Sequence, residues 1–413
     1  MPLAPAAPRA EARTAPLLRR AARIAAELGA QAVELRGGAI GWTAPAADGA
    51  APRPLEPHLY GGTCGIAFFL AALDHVRGTA EHADTVRRAL APLRRTLAGL
   101  EADPARAAGL RLPVGGIVGI GSWIYALAHV GSWLGDEGMR RDAHAATALL
   151  TPARIAADDQ LDVVRGAAGA ILALLALDTV DPRPNAAGET PPAIAARCGA
   201  HLLACRTATP AGPRAWSCPG VGPLTGFAHG ASGIGYALLR LFARTGHAPL
   251  RQAALEGFAY ERTLYLPEQG DWWDPRFGRP LGQNAWCYGA PGMALARAEA
   301  ADDAESAADL AVMLPIARDR ADEPVDHPCC GTMGRADVLL ALSRRMGDRA
   351  LAAAARTLAR RVAAGETARG HYALPSADTA QGSPLGLFSG TAGVGYTLLR
   401  LAAPSLPSPL RLD

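Results

Sequence analysis

Three cysteines in the last third of the chain have the residue type and the placement of a metal site. Cys329 and Cys330 are adjacent, and Cys287 stands at the matching position in the preceding copy of a repeat. Three thiolates are enough to hold a catalytic zinc ion and leave its fourth position open for water or substrate. The alternative is that the thiols are buried and pack as small apolar groups. We predict metal binding, because the repeat places all three within two residues before its first glycine.

A histidine and an aspartate are the next candidates for chemistry. His229 directly precedes Gly230, as Cys330 precedes Gly331, so we predict that it acts as a general acid or base at the same site. The alternative for a lone histidine is a satisfied core or loop residue. Asp162 stands four residues before Gly166, the first glycine of another copy of the repeat. This spacing leaves two roles open: a helix cap, or a carboxylate that orients His229 or handles a proton itself.

The other four cysteines are predicted to be structural. The total of seven is odd, and no secretory signal is recognisable, so a disulfide framework is not expected. These cysteines lie within the first repeat or between repeats: Cys64, Cys198, Cys205 and Cys218.

A repeated element must position these side chains. A Gly-x-x-Gly sequence followed by an apolar run recurs seven times, with first glycines at Gly62, Gly116, Gly166, Gly230, Gly289, Gly331 and Gly390. The apolar runs have helical spacing, and amphipathic segments such as residues 84–97 lie between them. This alternation predicts an all-α fold, an α/α toroid of about seven hairpins with an inner and an outer ring. An open superhelix is the alternative, but the deeper apolarity of the inner helices favours closure.

A closed ring directs all of its equivalent loops to one end. The residues just before each first glycine are therefore expected to converge: Gly61, Gly115, Arg165, His229, Tyr288, Cys330 and Ser389, with Cys287 and Cys329 one step further back.

Composition excludes several function classes. All 41 basic residues are arginine, so a Schiff-base, P-loop or kinase-type lysine is impossible within this chain. The net charge is only +3 and no basic cluster alternates with aromatic residues, so nucleic acid is not an expected partner. Residues 112–135 are nearly free of charge but contain six glycines and match the repeat, which favours a buried helix over a membrane span.

The domain prediction is simple. Residues 1–16 are rich in Ala and Pro and lack the apolar core of a signal peptide, so we predict a flexible N-terminal tail on a cytoplasmic protein. Residues 17–413 are predicted to form a single domain.

At these motifs the sequence resembles the lanthionine synthetase C-like family. The run Trp-Cys-Tyr-Gly from Trp286 and the run Cys-Cys-Gly from Cys329 are similar to the family's zinc motifs. Ala-His-Gly from Ala228 is similar to its histidine motif, and Asp162 falls on its aspartate position.

The resemblance extends from about Leu17 to the C-terminus. Segments that begin at Pro57 and Gly386 most resemble the C-terminal cyclase domain of class II lanthipeptide synthetases. Those synthetases also carry a large N-terminal dehydratase domain, for which this chain has no room. The resemblance therefore implies a stand-alone cyclase, an excised domain or part of a split system.

The resemblance also implies a reaction and its partners. A zinc-dependent cyclase adds cysteine thiols of a dehydrated precursor peptide, with leader and core, to dehydroalanine or dehydrobutyrine, and a separate dehydratase prepares that peptide. The three cysteines of the metal site would hold the zinc. His229 would protonate the enolate with Asp162 as its partner, and Tyr288 would help to position the enolate.

Two departures from the family pattern affect the site. Histidine is the family's usual third zinc ligand, whereas this chain has Cys330, as one branch of class II enzymes does. A third thiolate ligand would make a substrate thiolate on the metal more nucleophilic and the metal itself a weaker Lewis acid. Stand-alone cyclases often have an arginine four residues before the first zinc cysteine, where this chain has Gln283.

Three other functions remain as alternatives. The same site would serve a zinc- and glutathione-binding enzyme that adds thiols to other dehydrated substrates. A toroidal glycosidase would need paired carboxylates, and Asp271, Asp274 and Asp326 show no pairing in the sequence. A non-catalytic peptide-binding scaffold would have a closed zinc site, with His327 as the candidate fourth ligand.

Overall fold

The computed structural model describes residues 8–44, 51–375 and 383–413. Helices dominate this part of the chain, and their bounds are α1 (Pro8–Ala30), α2 (Thr63–Arg77), α3 (Ala83–Ala102), α4 (Pro104–Gly109), α5 (Ile120–Leu134), α6 (Glu137–Thr147), α7 (Pro152–Ala156), α8 (Ala167–Val180), α9 (Pro191–Ala204), α10 (Ala231–Thr245), α11 (Ala248–Arg262), α12 (Ala290–Ala298), α13 (Ala304–Asp319), α14 (Thr332–Met346), α15 (Arg349–Arg369) and α16 (Thr391–Ala402).

Short antiparallel strands occupy some of the connections. They are β1 (Val33–Glu34), β2 (Ile40–Gly41), β3 (Thr43–Ala44), β4 (Arg53–Pro54), β5 (Ser217–Cys218), β6 (Gly222–Pro223), β7 (Tyr265–Leu266), β8 (Asp271–Asp274) and β9 (Arg279–Pro280). The first six form three two-stranded ribbons, and the last three form one sheet in which Tyr265 pairs with Trp272 and Asp274 pairs with Arg279. This sheet connects α11 to α12.

The seven apolar helices close into a ring. In the order α2, α5, α8, α10, α12, α14 and α16, each packs against the next, and α16 packs against α2. The predicted α/α toroid is confirmed, and the contact between the last and first inner helices excludes the open superhelix. Inner helices are buried on nearly every side; α8, for example, buries every residue from Ala167 to Leu174. Burial of this much apolar surface is the dominant favourable term in folding.

The outer ring consists of amphipathic helices, each packed on an inner helix. Helices α3, α6, α9, α11, α13 and α15 follow their inner partners in sequence, whereas α16 is covered by α1 from the other end of the chain. Helix α1 begins at Pro8, so the predicted tail of residues 1–16 overlaps this helix, and residues 1–7 lie outside the described residues.

The second repeat begins three residues later than the sequence pattern indicated. Helix α5 has Gly119 as its N-cap, whereas in the other repeats the first glycine of the motif has that place. The N–H of Ser122 donates to the Gly115 carbonyl, as the N–H of Gly65 donates to His58, so Ser122 occupies the position of a second glycine. The stretch Gly-Ile-Val-Gly-Ile-Gly allows two frames, and only packing in the ring selects one. The residue that precedes the N-cap is therefore Val118 and not Gly115.

The segment after α16 folds back between the inner helices. The indole N–H of Trp286 donates to the Leu410 carbonyl at 2.9 Å, and the Tyr396 hydroxyl donates to the Pro407 carbonyl at 2.8 Å. Leu412 is buried here as well. Residues 404–413 therefore fill part of the space that the inner ring encloses.

The charge-poor stretch of residues 112–135 contains α5, which is buried from Ile120 to Gly131, as predicted. Across the described ranges, no helix has both the length and the apolarity that crossing a membrane requires.

Candidate metal centre

Backbone hydrogen bonds join the seven glycine loops into a second, smaller ring. Each loop donates an N–H to a carbonyl of the next, with N···O distances between 2.8 and 3.3 Å: Leu59 to Ile117, Ile117 to Val164, Val163 to Ala228, Ala228 to Cys287, Cys287 to Cys329, Cys329 to Phe388, and Phe388 to Tyr60. Because the bonds return to the first loop, the residues before each N-cap are held at one end of the toroid.

Close packing of the loops on the helices explains the second glycine of the motif. A Cβ atom at Gly334 would lie 1.7 Å from the carbonyl oxygen of Pro328, and one at Gly233 would lie 1.8 Å from that of Phe227. A side chain at these positions would therefore displace the loop that carries the reactive residues.

The loops surround a cavity of about 460 Å³. Predicted residues that line it are His229, Cys287, Tyr288, Cys329 and Cys330. The other residues of the predicted set, Gly61, Gly115, Arg165 and Ser389, are not among those that line it, whereas Tyr60, Val118, Val164, Thr225, Ala228, Arg276, Phe277, Leu281 and Gln283 are. No carboxylate lines this cavity in the described part of the chain, so a glycosidase has no support here.

The three predicted cysteines form one cluster. The sulfur of Cys330 lies 3.1 Å from that of Cys287 and 3.6 Å from that of Cys329, and all three sulfurs lie within 4.8 Å of one another. Ligands of a tetrahedral zinc at a Zn–S distance of about 2.3 Å are separated by about 3.8 Å. The cluster therefore fits a single metal ion of this kind with little rearrangement.

Ionisation of the cluster also points to a cation. Hydrogen bonds from Cys287 and then Cys329 lower the pKa of Cys330. Contacts with Cys329 and Cys330, followed by burial, raise the pKa of Cys287. The pKa of Cys329 is raised too: its bond with Cys287 acts downward, but its contact with Cys330 and its burial outweigh that effect. Burial and the mutual contacts therefore disfavour ionisation of all three thiols together, and a bound cation would favour it.

His327 does not complete a four-ligand site. Among the described residues, the cluster of mutually close ligand atoms contains the three sulfurs and no histidine nitrogen. The Nδ1 atom of His327 lies 3.1 Å from the Phe388 carbonyl oxygen, which accepts only, so Nδ1 carries the proton. Its Nε2 is then unprotonated and, within the described ranges, buried without a hydrogen-bond partner, but it does not belong to the group of mutually close ligand atoms. A metal held by the three sulfurs alone would have a free coordination position, as catalytic sites do.

Asp162 and His229 form a hydrogen-bonded pair across two loops. One carboxylate oxygen of Asp162 lies 2.5 Å from Nδ1 of His229, and the other accepts the backbone N–H groups of Arg165 at 2.7 Å and Gly166 at 3.1 Å. Asp162 is only 2% exposed. A carboxylate accepts and does not donate, so Nδ1 of His229 carries a proton. The half-buried ring lines the cavity, and Nε2 is the ring nitrogen that remains for a substrate there. Asp162 is not a helix cap, because Gly166 is the N-cap of α8 and the N–H groups that Asp162 accepts belong to the turn before the helix. Its contact with Nδ1 agrees with the other predicted role, a partner of His229.

Tyr288 lines the cavity, but its hydroxyl proton is already used. The hydroxyl donates to the backbone carbonyl of Trp272 in strand β8. Tyr288 therefore ties the sheet formed by β7, β8 and β9 to the loop that carries Cys287.

Sequence reasoning missed two residues of the site. Tyr60 stacks on Phe388 with ring centroids 5.5 Å apart, and burial and then the neighbouring Cys329 raise its pKa. It stands two residues before its N-cap glycine, as Cys287 and Cys329 do, so the repeat contained the signal. Arg276 lies in the turn between β8 and β9, outside the repeat, and no sequence pattern pointed to it.

Comparison with known proteins agrees with this architecture. A nisin cyclase structure superposes with a TM-score of 0.62 at 14% identity, over 92% of this chain and 93% of that chain, which is a likeness of fold. A sugar epimerase from a ruminal bacterium gives a TM-score of 0.43 at 13% identity over 70% of this chain and 87% of that one. No curated protein sequence matches at a significant level.

A family model assigns the chain to a protein family, which structural likeness at this level of identity does not do. The model described as lanthionine synthetase C-like protein matches residues 53–411, which include the seven glycine loops and the sulfur cluster. The chain therefore belongs to the lanthionine synthetase C-like family.

Proposed function

We propose that this protein is a zinc-dependent lanthipeptide cyclase. It adds cysteine thiols of a peptide to dehydroalanine or dehydrobutyrine residues of the same peptide and so forms (methyl)lanthionine thioether rings. The observation that carries the proposal is that three clustered sulfurs, which could hold a metal ion, and His229, bonded to the buried Asp162, converge on one open cavity. Membership in the family and the fold shared with nisin cyclase support it.

Activation of the thiol is the first requirement of this reaction. A zinc ion held by Cys287, Cys329 and Cys330 would supply the charge that lowers the pKa of a substrate thiol from about 8.5 to below neutrality. The absence of a fourth ligand atom among the described residues favours this catalytic role over a closed structural site. A cavity of about 460 Å³ is within the usual range of small-ligand sites.

Proton delivery is the second requirement. When sulfur bonds to the β-carbon, the π electrons of the dehydro residue move toward its carbonyl oxygen, and the resulting enolate takes a proton at the α-carbon. We propose that Nε2 of His229 takes the proton that the substrate thiol loses and then delivers it to the α-carbon. Asp162, which accepts from Nδ1–H, would stabilise the imidazolium that exists between these two transfers. The thiol proton that is lost and the proton that is delivered balance, so cyclisation leaves the peptide mass unchanged.

The partners follow from the substrate. The peptide would be a dehydrated precursor with leader and core segments, prepared by a dehydratase activity that the cavity's residues do not provide. Tyr288 would contribute through its bond to Trp272, which holds the sheet beside the site, rather than through a hydroxyl proton of its own.

The test uses a synthetic peptide with one dehydroalanine and one cysteine. The wild-type protein should bind about one zinc per chain and should remove the free thiol, measured by alkylation, without a change in peptide mass. Cys287→Ser should lose both zinc and cyclisation. Cys205→Ser is the matched control, because Cys205 contacts His201 on α9 and does not line the cavity.

Other outcomes separate the alternatives. With glutathione added, a mass gain equal to glutathione and no ring would identify an intermolecular thiol-addition enzyme. Full zinc occupancy with neither reaction would identify a non-catalytic scaffold, and cyclisation by Cys287→Ser at the wild-type rate would refute the proposed role of the cluster.

A further inference from the structure

Arg276 brings a positive charge to the cavity. It lies in the turn between β8 and β9, and among the described residues that line the cavity it is the one arginine. Its guanidinium carbon stands 5.9 Å from the centre of the Tyr288 ring, a distance at which a cation is attracted to the aromatic face. The side chain therefore lies beside the loop that carries Cys287.

Asp274 fixes the orientation of this guanidinium. The Nε atom of Arg276 lies 3.0 and 3.1 Å from the two carboxylate oxygens, Nη2 lies 2.5 Å from one of them, and the backbone N–H of Arg276 donates to the other at 2.8 Å. Asp274 is only 1% exposed, so the pair is held rigidly at its base. Nη1 makes no hydrogen bond to the described residues and is available to a ligand.

The charge on Arg276 persists despite its partial burial. Burial acts to lower the pKa, but the bond to Asp274 and the nearby Cys287 and Tyr288 raise it above its ordinary value. The hairpin is also anchored to the site, because the Tyr288 hydroxyl donates to Trp272 in β8. A preorganised cation at a developing negative charge lowers a barrier without reorganisation during the reaction.

The addition step generates such a charge. As the C–S bond forms at the β-carbon, the Cα=Cβ π pair shifts and negative charge develops on the carbonyl oxygen of the dehydro residue. Gln283 is neutral, the Tyr288 proton is used by Trp272, and His229 is required at the α-carbon. Arg276 is therefore the positively charged donor at the cavity that remains for that oxygen.

On the basis of the proposed function, we propose that Arg276 is a further catalytic residue whose Nη1 donates a hydrogen bond to the enolate oxygen of the substrate. The bond forms in the transition state as the oxygen gains charge and is lost when His229 delivers the proton to the α-carbon. A hairpin outside the repeat thus contributes a group that the glycine loops do not provide.

The test is a comparison of Arg276→Gln with Arg279→Gln. Arg279 lies on the same hairpin and is exposed, and its one side-chain hydrogen bond to the described residues goes to the neighbouring Pro280 carbonyl. Arg276→Gln should lower kcat by about 10²–10³-fold, the usual cost of losing one oxyanion donor. It should leave zinc content and KM nearly unchanged, while Arg279→Gln should match the wild-type protein in all three.

Each contrary result has a distinct meaning. A raised KM with unchanged kcat would show that Arg276 binds the peptide in the ground state, and equal losses in both variants would show a general effect on the hairpin; either overturns the assignment. A wild-type protein that binds zinc and fails to cyclise any dehydrated peptide would instead refute the proposed function, and Arg276 would lose its role with it.

Discussion

Replacement of Asp162 by asparagine changes the chemistry of the site while keeping its shape. One carboxylate oxygen accepts the backbone N–H groups of Arg165 and Gly166, and asparagine can keep that acceptor. The other oxygen faces Nδ1 of His229, where asparagine would present an amide donor. His229 would then have to accept at Nδ1 and carry its proton on Nε2, and no negative charge would stabilise its imidazolium form.

The expected loss follows from these contacts. A hydrogen bond to a charged group is worth about 1.5–3 kcal/mol, which is about 10- to 150-fold in rate. In the other tautomer Nε2 already carries a proton and cannot take up the proton of the thiol, so the proton transfer through His229, worth about 10²–10⁴-fold in all, is lost together with this hydrogen bond. We therefore expect Asp162→Asn to lower kcat by about 10²–10⁴-fold, and to change the free energy of unfolding by less than about 1 kcal/mol, because the backbone donors keep their partner.

The assay measures the loss of free thiol in a dehydroalanine-containing peptide, the zinc content, and the configuration of the lanthionine product. The matched control is Asp158→Asn. Asp158 accepts backbone N–H groups of Leu161 and Ala167 in the same loop but does not contact His229. Wild-type rates and product configuration in Asp162→Asn, or equal losses in the two variants, would refute the proposed action of Asp162 through His229.

Three further predictions test the architecture. Gly334→Ala should lower both metal affinity and thermal stability, because its Cβ would lie 1.7 Å from the Pro328 carbonyl oxygen and displace the loop that carries Cys329 and Cys330. Chelator competition and calorimetry measure the two effects, and an unchanged metal affinity would contradict this close contact between loop and helix. Zinc binding near pH 7 should release about two protons per chain in a pH-stat titration, since the raised pKa values keep Cys287 and Cys329 protonated in the metal-free protein; release of three would contradict it. Burial lowers the pKa of His129 from 6.5 to about 4, so as the pH falls the unfolded state binds this proton before the folded state does. The metal-free protein should therefore lose up to about 3 kcal/mol of its free energy of unfolding between about pH 6.5 and pH 4. His129→Leu should not show that loss in urea titrations at the two pH values.

The repeat made much of the site predictable. Reading the residue before each glycine placed His229, Tyr288 and Cys330 at one cavity, and reading one residue further back placed Cys287 and Cys329 there. The same reading applied to the first repeat would have found Tyr60. The frame of the second repeat was wrong, because a glycine-rich stretch offers two equivalent starts and only contacts with neighbouring loops distinguish them.

Other features had no local signal. The pairing of Asp162 with His229 joins neighbouring loops of the ring, and from spacing alone capping and orientation were equally compatible with Asp162. The cover of α16 by α1 and the return of residues 404–413 into the inner ring depend on the two ends of the sequence meeting. Arg276 reaches the cavity through a hairpin whose sequence resembles an ordinary polar connection.

The sequence by itself determined the helical class, the sevenfold repeat and the identity of the sulfur cluster, because helical periodicity and glycine spacing are local properties of the chain. Tertiary structure decided that the ring closes and which frame the second repeat adopts. It also decided that an imidazole and a guanidinium share one cavity with the three thiols, and that a buried carboxylate bonds to that imidazole. The physical reason is that these outcomes depend on contacts between residues far apart in sequence, whose geometry is set by packing around the whole ring rather than within any one repeat.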